Sequence, residues 1–361
     1  MDDMDCKSHV FVAMSGGVDS AVAAASLVDQ GFQVTGIHMQ TWKFPQLEEN
    51  SNEIDTPVTL ARKTAEAIGI PFVFLDVREQ FYENVVQNFI QKYLAGQTPN
   101  PCLFCNPQVK WGVLQTYALE HGGDYFATGH YARIKKEDSG QVRLLKGADV
   151  TKDQSYVLAM LTQNQLRHTL LPLGDLTKLE VRKHAIKYDL PPAEQKDSQD
   201  LCFLGGIDYR NFLRQYVPQN MKPGEIVNTE GKVVGEHMGL PFYTVGQRRG
   251  IQVSASEPYY VIGKDVLSNR LIVGFSDEAP RDSLTAKSAN WISGHPPDAG
   301  QFYDVMTRYR AKPMQASLLS ISDGNFRLKF RQPLRGITPG QVAVLYEGDE
   351  CLGGGIIQQS G

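Results

Sequence analysis

The chain has 361 residues, 42% of them apolar and 21% charged, with five cysteines and a formal net charge of −4 at pH 7. That length calls for two or three domains, and the composition is that of an ordinary globular protein rather than a disordered or fibrous one. No apolar run is long enough to span a bilayer, and the acidic start Met1-Asp2-Asp3-Met4-Asp5 is no signal peptide, so a cytoplasmic protein without a membrane partner is expected. Cys6, Cys102, Cys105, Cys202 and Cys351 are too few, and odd in number, for a disulfide framework. Mild overall acidity gives no global sign of a nucleic-acid partner, so such a contact would have to use local basic patches.

In chain order, Val10 to Met14 reads as a strand, Ser15 to Ser20 as a tight turn and Ala21 to Val28 as an alanine-rich helix. A second strand follows at Phe32 to Met39, a helix at Thr59 to Ile68, and a third strand at Phe72 to Val77. A long helix from Glu79 to Leu94, another from Lys110 to Glu120 and a strand at Tyr125 to His130 complete the alternation. This rhythm predicts an α/β domain with an open parallel sheet, whose ligands sit at the carboxyl ends of the strands. Residues 131–205 read as a helical continuation, with helices at Gln154 to Leu161, Gln163 to Leu170 and Lys178 to Tyr188. Past Pro218 glycine-punctuated short strands predict a small β-rich domain, and from about 281 alternating strands predict a β-barrel. The expected domains are therefore 1–205, 206–280 and 281–361.

Ser15-Gly16-Gly17-Val18-Asp19-Ser20 places two glycines, two hydroxyls and a helix N-terminus directly after a strand. Such a turn holds a pyrophosphate: glycine lets the backbone approach an anion, and the first-turn amides supply positive potential. The spacing is not that of Walker A or of G-x-G-x-x-G. A bare Asp19 would repel phosphates, so its expected partner is a bridging Mg2+ or an amide.

Cys102 and Cys105 lie three positions apart in a proline-stiffened turn, Thr98 to Asn106, ahead of a helix. Such a pair can bind metal, cycle between redox states, or divide the roles of nucleophile and helper; a helix N-terminus favours thiolate. Cys202 adds a third thiol, although its apolar neighbours Leu201 and Phe203 also suit a core position. Zinc would need a fourth ligand such as His130 or His184, whereas three thiols with an open position suit an iron–sulfur cluster.

The loop SGGVDS resembles the PP-loop of ATP pyrophosphatases. Asn100-Pro101 with Cys105-Asn106, Ala127 to Tyr131, Lys152 to Tyr156, Lys196-Asp197-Ser198 with Cys202-Phe203, Gly246-Gln247-Arg248, Arg308-Tyr309-Arg310 and Thr338 to Gln341 follow in order. Together these motifs resemble the tRNA-specific 2-thiouridylase family over essentially the whole chain. The resemblance implies adenylation of O2 of wobble uridine 34 in the tRNAs for Lys, Glu and Gln, followed by replacement of that oxygen by sulfur. ATP and Mg2+ are the implied cofactors. ATP would contact Ala13, Met14, Ser15, Gly16, Gly17, Val18, Asp19, Ser20, Met39 and Gly129. Cys202 would carry a persulfide supplied by a cysteine desulfurase or sulfur-relay protein, and Cys105 would be the second thiol, forming a disulfide with Cys202 afterwards. Cys102 stands where many relatives carry Asp, so either this thiol or another group does the proton work, or Cys102, Cys105 and Cys202 hold a [4Fe-4S] cluster. The tRNA anticodon stem-loop would meet Asn100, Pro101, Cys102, His130, Lys152, Asp153, Gln154, Arg308, Tyr309 and Gln341.

Taken as residues alone, Lys152-Asp153-Gln154 also reads as a capped helix start, and Arg308-Tyr309-Arg310 as a strand with both arginines on one face. From 281 onward nine Lys/Arg meet seven Asp/Glu, which is compatible with RNA but does not demand it. Two rival functions are another PP-loop ligase or amidotransferase, which would have no use for the thiols, and a non-catalytic RNA-binding protein with a decayed loop.

Overall fold

The structure is a computed structural model that describes residues 8–43, 56–195 and 201–360; Cys6 and Lys196-Asp197-Ser198 lie outside them. Strand β1 (His9–Ala13) pairs in parallel with β2 (Gln33–Gln40), with Val12 opposite Gly36, and β2 pairs in parallel with β3 (Phe72–Asp76). On the other side of β1 lies β4 (Tyr125–Ala127), also parallel. Val10, Val12, Val34 and Ile37 are buried, as expected of strands covered on both faces.

Helix α1 (Val18–Asp29) is buried nearly all round. Its alanines are small enough to let it lie against the sheet and share a core with Val181 and Ala185 further along the chain. Helix α2 (Pro57–Ile68) begins earlier than its apolar pattern, because the Thr56 hydroxyl accepts from Thr59 N and Pro57 occupies the first turn. Helix α3 covers 78–94 and includes a π-helical stretch, Tyr82–Gln87. Helix α4 covers 102–120 and contains a second π-helical stretch, Asn106–Leu114. It starts at Cys102 rather than at Lys110, so Cys102 and Cys105 form its first turn and not a loop before it.

The segment expected to be helical throughout opens instead with a hairpin, β5 (Ala132–Lys136) and β6 (Val142–Lys146). Residues Thr169 and Leu170, read as a helix end, form β7 and pair in parallel with β4, so the first sheet has the order β3-β2-β1-β4-β7. Short apolar runs suit helix and strand equally, and here the free edge of β4 decides. Helices α5 (Ser155–Leu158), α6 (Gln163–Arg167) and α7 (Lys178–Lys187) are shorter than or close to expectation. Helix α8 (Tyr209–Tyr216) sends Phe212 and Leu213 into the first domain's core.

The middle of the chain forms a separate four-stranded sheet from β8 (Gly224–Val227), β9 (Val233–His237), β10 (Tyr260–Asp265) and β11 (Arg270–Gly274), in the order β10-β11-β8-β9. Its own core is built on Ile226, Val261, Leu271 and Val273. The remaining strands are β12 (Arg281–Trp291), β13 (Phe302–Met306), β14 (Met314–Ser322), β15 (Asn325–Leu334), β16 (Val342–Glu347) and β17 (Glu350–Ser360). Strand β12 pairs with both β15 and β17, which closes a six-stranded antiparallel barrel. Strand β17 also pairs with β6, so the hairpin extends the barrel sheet.

Strand β13 stops at Met306, and Arg308-Tyr309-Arg310 forms a turn in which Arg310 has φ 61°. The expected alternation of Arg and Tyr across a strand is therefore corrected. Tyr309 lies 6.1 Å from the ring of Tyr156, Arg310 lies 5.2 Å over the Tyr309 ring, and Arg308 is exposed.

Buried and part-buried hydrogen bonds tie the barrel to the first domain. Tyr156 OH donates to Val342 O at 2.9 Å, Ser155 Oγ and Tyr346 OH share a bond of 3.1 Å, and Asn290 Nδ2 donates to Ala159 O and Leu161 O at 2.9 Å each. Tyr156→Phe leaves the buried Val342 carbonyl without its hydroxyl donor, so a loss of about 1–3 kcal/mol is expected, read as a lower thermal midpoint by calorimetry with no change in far-UV circular dichroism.

Candidate functional site

The loop after β1 is fixed before its glycines begin. Met14 is buried, its N donates to Ile37 O at 2.8 Å, and its carbonyl accepts from His38 Nδ1 at 2.7 Å. Gly16 has φ 84°, and a Cβ there would lie 2.3 Å from Pro57 O, so only glycine fits where α2 meets the loop. Ser15 N donates to Ser20 Oγ at 3.1 Å, Gly17 N to Ser15 Oγ at 3.3 Å, and Ser20 Oγ to Gly17 O at 3.0 Å. Gly17 caps α1 without a side-chain bond, so no side chain competes for the first-turn amides that an anion would use. Gly129 packs against the same turn: a Cβ there would sit 2.8 Å from Asp19 C. Met39 is half-buried in β2, and the neighbouring His38 stacks on Phe74 with ring centroids 6.2 Å apart.

Asp19 has protein partners other than the expected amide. Its Oδ1 accepts from Tyr131 OH and from Lys178 Nζ, both at 2.7 Å. The Lys178 side chain is only 12% exposed and that of Asp19 35%, so the cation is sheltered and the carboxylate keeps one side toward solvent. Lys178 opens helix α7, where a cation opposes the helix dipole. That misplacement in the sequence was the signal for Lys178, and the ion pair with Asp19 accounts for it.

The three thiols gather around Lys110. Asn100 Oδ1 accepts from Cys102 N at 3.1 Å and Cys105 N donates to Pro101 O at 2.8 Å, which sets the first turn of α4. Cys102 and Cys202 expose surface on one side, and Cys105 is buried. Crowding by protein atoms pushes all three thiols up, Cys105 to about 12 and Cys202 to about 11, while the Lys110 ammonium pulls each of them back. The expectation that the helix N-terminus favours thiolate is thus reversed, because desolvation outweighs it. Lys110 follows Cys105 by five residues, and the π-helical stretch, with its i→i+5 repeat, carries it back toward the thiols. Sequence spacing read with an α-helical period does not reveal this.

His130 is buried and shares a 2.7 Å hydrogen bond with Thr128 through Nδ1. Burial first, and then Lys110, drive its pKa well down, so it is neutral. Among the described residues no three His, Cys, Asp or Glu side chains converge to share a metal ion.

The other candidate contacts fall into two groups. Asp153 Oδ1 accepts from Gly147 N at 2.9 Å and Ser155 N at 3.1 Å, and Gln154 Oε1 accepts from Tyr131 N at 3.0 Å, so both brace the loops beside Lys152. Gln341 Nε2 donates to Thr98 O at 2.7 Å, joining the barrel to the segment that carries Asn100 and Pro101. Arg308 instead lines a polar cleft of about 490 Å3 with Arg210, Thr244, Gln247 and Arg249. Arg210 and Arg249 carried no signal of their own in the sequence.

The family descriptions "tRNA methyl transferase HUP domain", "tRNA methyl transferase PRC-barrel domain" and "Aminomethyltransferase beta-barrel domain" match residues 8–206, 210–275 and 281–357. The tRNA-specific 2-thiouridylase MnmA of Carboxydothermus hydrogenoformans is 42% identical over 99% of this chain and 99% of its own length. The chain belongs to the tRNA-specific 2-thiouridylase family. The family member of Moorella thermoacetica is 43% identical over 96% of this chain and 98% of its own. Among solved structures, a 4-thiouridine synthetase–RNA complex with bound ATP is 16% identical, with a TM-score of 0.33, over 59% of this chain and 51% of that one.

The raised thiol pKa values set the pH dependence of reactivity. A thiol with a raised pKa stays protonated at neutral pH, so iodoacetamide labelling of Cys202 is expected to climb about tenfold per pH unit toward pH 11. Lys110→Met removes the cation and slows labelling of Cys102 and Cys202 at fixed pH, by roughly three- to tenfold; site-resolved mass spectrometry measures both.

Proposed function

We propose that this chain is an ATP-dependent tRNA sulfurtransferase that makes 2-thiouridine at wobble position 34 of the tRNAs for Lys, Glu and Gln. One observation carries the reading: a single domain combines a glycine loop with open helix amides and three thiols grouped around one ammonium. A ligase or amidotransferase would need the loop and not the thiols.

ATP lays its phosphates on the open first-turn amides of α1, beside the Ser15 to Ser20 loop, with Met39 and Gly129 beside the nucleotide. Pairing of Asp19 with Lys178 and Tyr131 removes the bare negative charge that would repel them. Magnesium bound with ATP would be held chiefly by phosphate oxygens and would neutralise their charge, since the Asp19 carboxylate is already engaged. Uridine O2 attacks the α-phosphorus and pyrophosphate departs, which leaves C2 with an adenylate as leaving group. The terminal sulfur of a Cys202 persulfide attacks C2, and AMP leaves with the former O2. Cys105 then attacks Cys202 Sγ. The bond between Sγ and the transferred sulfur breaks, its electrons stay on the sulfur now attached to C2, and a Cys105–Cys202 disulfide remains for a cellular thiol to reduce. Lys110 supports the thiolate that Cys105 must become. Cys102, in place of the family's Asp, is the third thiol of the cluster.

The sulfur reaches Cys202 from a cysteine desulfurase or a relay protein. A [4Fe-4S] cluster on Cys102, Cys105 and Cys202 would require converging thiolates. Desolvation holds the three thiols protonated, although they are grouped near Lys110. Among the described residues no three His, Cys, Asp or Glu side chains are placed to share a metal ion, so the residues present do not fit a cluster. Anaerobic reconstitution with iron and sulfide analysis decides between the routes: full activity in iron-free protein supports the persulfide alone.

Digestion of reacted tRNA followed by mass spectrometry should show oxygen replaced by sulfur at uridine 34 with the wild type. Asp19→Ala, Cys105→Ser and Cys202→Ser are each expected to lower the yield at least about a hundredfold. Equal yields from all four proteins would defeat the assignment. Lys178→Met leaves Asp19 with the Tyr131 hydroxyl but no cation beside the phosphates and should raise the KM for ATP about tenfold or more, measured by tRNA-dependent pyrophosphate release.

A further inference from the structure

A second cavity, of about 340 Å3, opens where the end of α3, strand β10 and the end of β17 meet, lined by Gln97, Val245, Lys264, Pro339, Gln358 and Gln359 among others. Two of its lining residues, Lys264 and Gln97, carry orphan polar atoms. Lys264 Nζ and Gln97 Oε1 are both buried, and neither has a hydrogen-bond partner. A buried ammonium without a partner is costly, and desolvation lowers Lys264 to about 7; an anion bound beside it would restore its charge. Gln97 is not free to withdraw. The next residue is held to the barrel at both backbone atoms, Thr98 N donating to Pro339 O at 2.9 Å and Thr98 O accepting from Gln341 Nε2 at 2.7 Å.

An orphan donor and an orphan acceptor on residues lining one cavity specify their complement: an anionic oxygen for the ammonium and a hydroxyl for the amide oxygen. RNA offers that combination at every nucleotide, as a phosphodiester oxygen and the 2′-hydroxyl beside it, whereas DNA lacks the second. Val245 lines both this cavity and the arginine-lined cleft, so the two are neighbours. Water alone could satisfy the hydrogen bonds but would bring no charge to Lys264. We propose that Lys264 and Gln97 form a ribose-phosphate subsite at the junction of the three domains, in which Lys264 takes a phosphodiester oxygen of the tRNA and Gln97 Oε1 accepts the adjacent 2′-hydroxyl. The subsite rests on the tRNA reading above and adds to it a means of distinguishing RNA from DNA outside the thiol site.

The test is filter binding of unmodified tRNA across a KCl series with wild type, Lys264→Met and Gln97→Leu, with thermal midpoints recorded for all three. Methionine keeps an unbranched chain and removes the charge, so the fold is expected to persist. Lys264→Met should weaken binding by roughly 5- to 20-fold and reduce the slope of log K against log salt by about one. A scan of anticodon stem-loops carrying single 2′-deoxy substitutions should find a position that costs the wild type several-fold and costs Gln97→Leu nothing. Wild-type affinity and slope in Lys264→Met overturn the proposal, as does an affinity loss with an unchanged slope, which would mark a purely structural lysine. If inorganic phosphate raises the thermal midpoint of wild type but not of Lys264→Met while both bind tRNA equally, the ligand is a free anion and the RNA subsite falls. Formation of 2-thiouridine by the same wild-type preparation is scored separately. Lys264-dependent binding without thiolation refutes the activity and keeps the subsite, and the reverse result refutes the subsite alone.

Discussion

A carboxylate at the mouth of a phosphate-binding loop is the constraint on which the site depends. Asp19 lies in the first turn of α1, where the amides favour one negative charge and a second one must compete with it. The structure resolves the competition by bringing Lys178 and Tyr131 onto Asp19 Oδ1 from parts of the chain far away in sequence. Tyr131 opens the segment that leads into β5, and Lys178 opens α7, so the interaction that neutralises the loop also fixes the two segments that flank it. Gly129, pressed against the Asp19–Ser20 peptide, shows how little room this arrangement leaves.

At the thiols the decisive contest is between desolvation and charge. A helix start and an ammonium both favour thiolate, yet all three cysteines are held protonated because the protein crowds them. Thiols held protonated in this way are weak nucleophiles and resist stray oxidation. The π-helical stretch of α4 contributes by bringing Lys110 into the group, at the expense of regular helix geometry.

The barrel does more than follow the catalytic domain. Its strands accept the β5–β6 hairpin, bury the Tyr156 hydroxyl and reach back through Gln341 and Pro339 to the backbone of Thr98, immediately ahead of Asn100 and Cys102. The position of the first thiol pair is therefore coupled to the seating of a domain that carries no thiol chemistry of its own. The smaller cavity lies at this same seam, lined by residues from within 95–97, 245–264 and 339–359, and the arginine-lined cleft lies between the middle of the chain and the barrel.

The sequence by itself determined the parallel sheet, the glycine loop, the barrel and the grouping of motifs around sulfur, since these depend on local periodicity and on residue types with few alternative uses. Ser15 to Ser20 could be read as an anion loop because glycine, hydroxyl and helix start are adjacent in the chain. Tertiary structure alone decided that Thr169 and Leu170 are a strand, that Arg308 to Arg310 turn instead of alternating, and that Cys102 begins a helix. It also decided the partners of Asp19 and the role of Lys110. Those outcomes depend on which edge, cation or crowd of atoms the fold brings within a few ångströms, and short segments carry no record of neighbours that only the fold brings near, such as the β4 edge for Thr169 or Lys178 for Asp19.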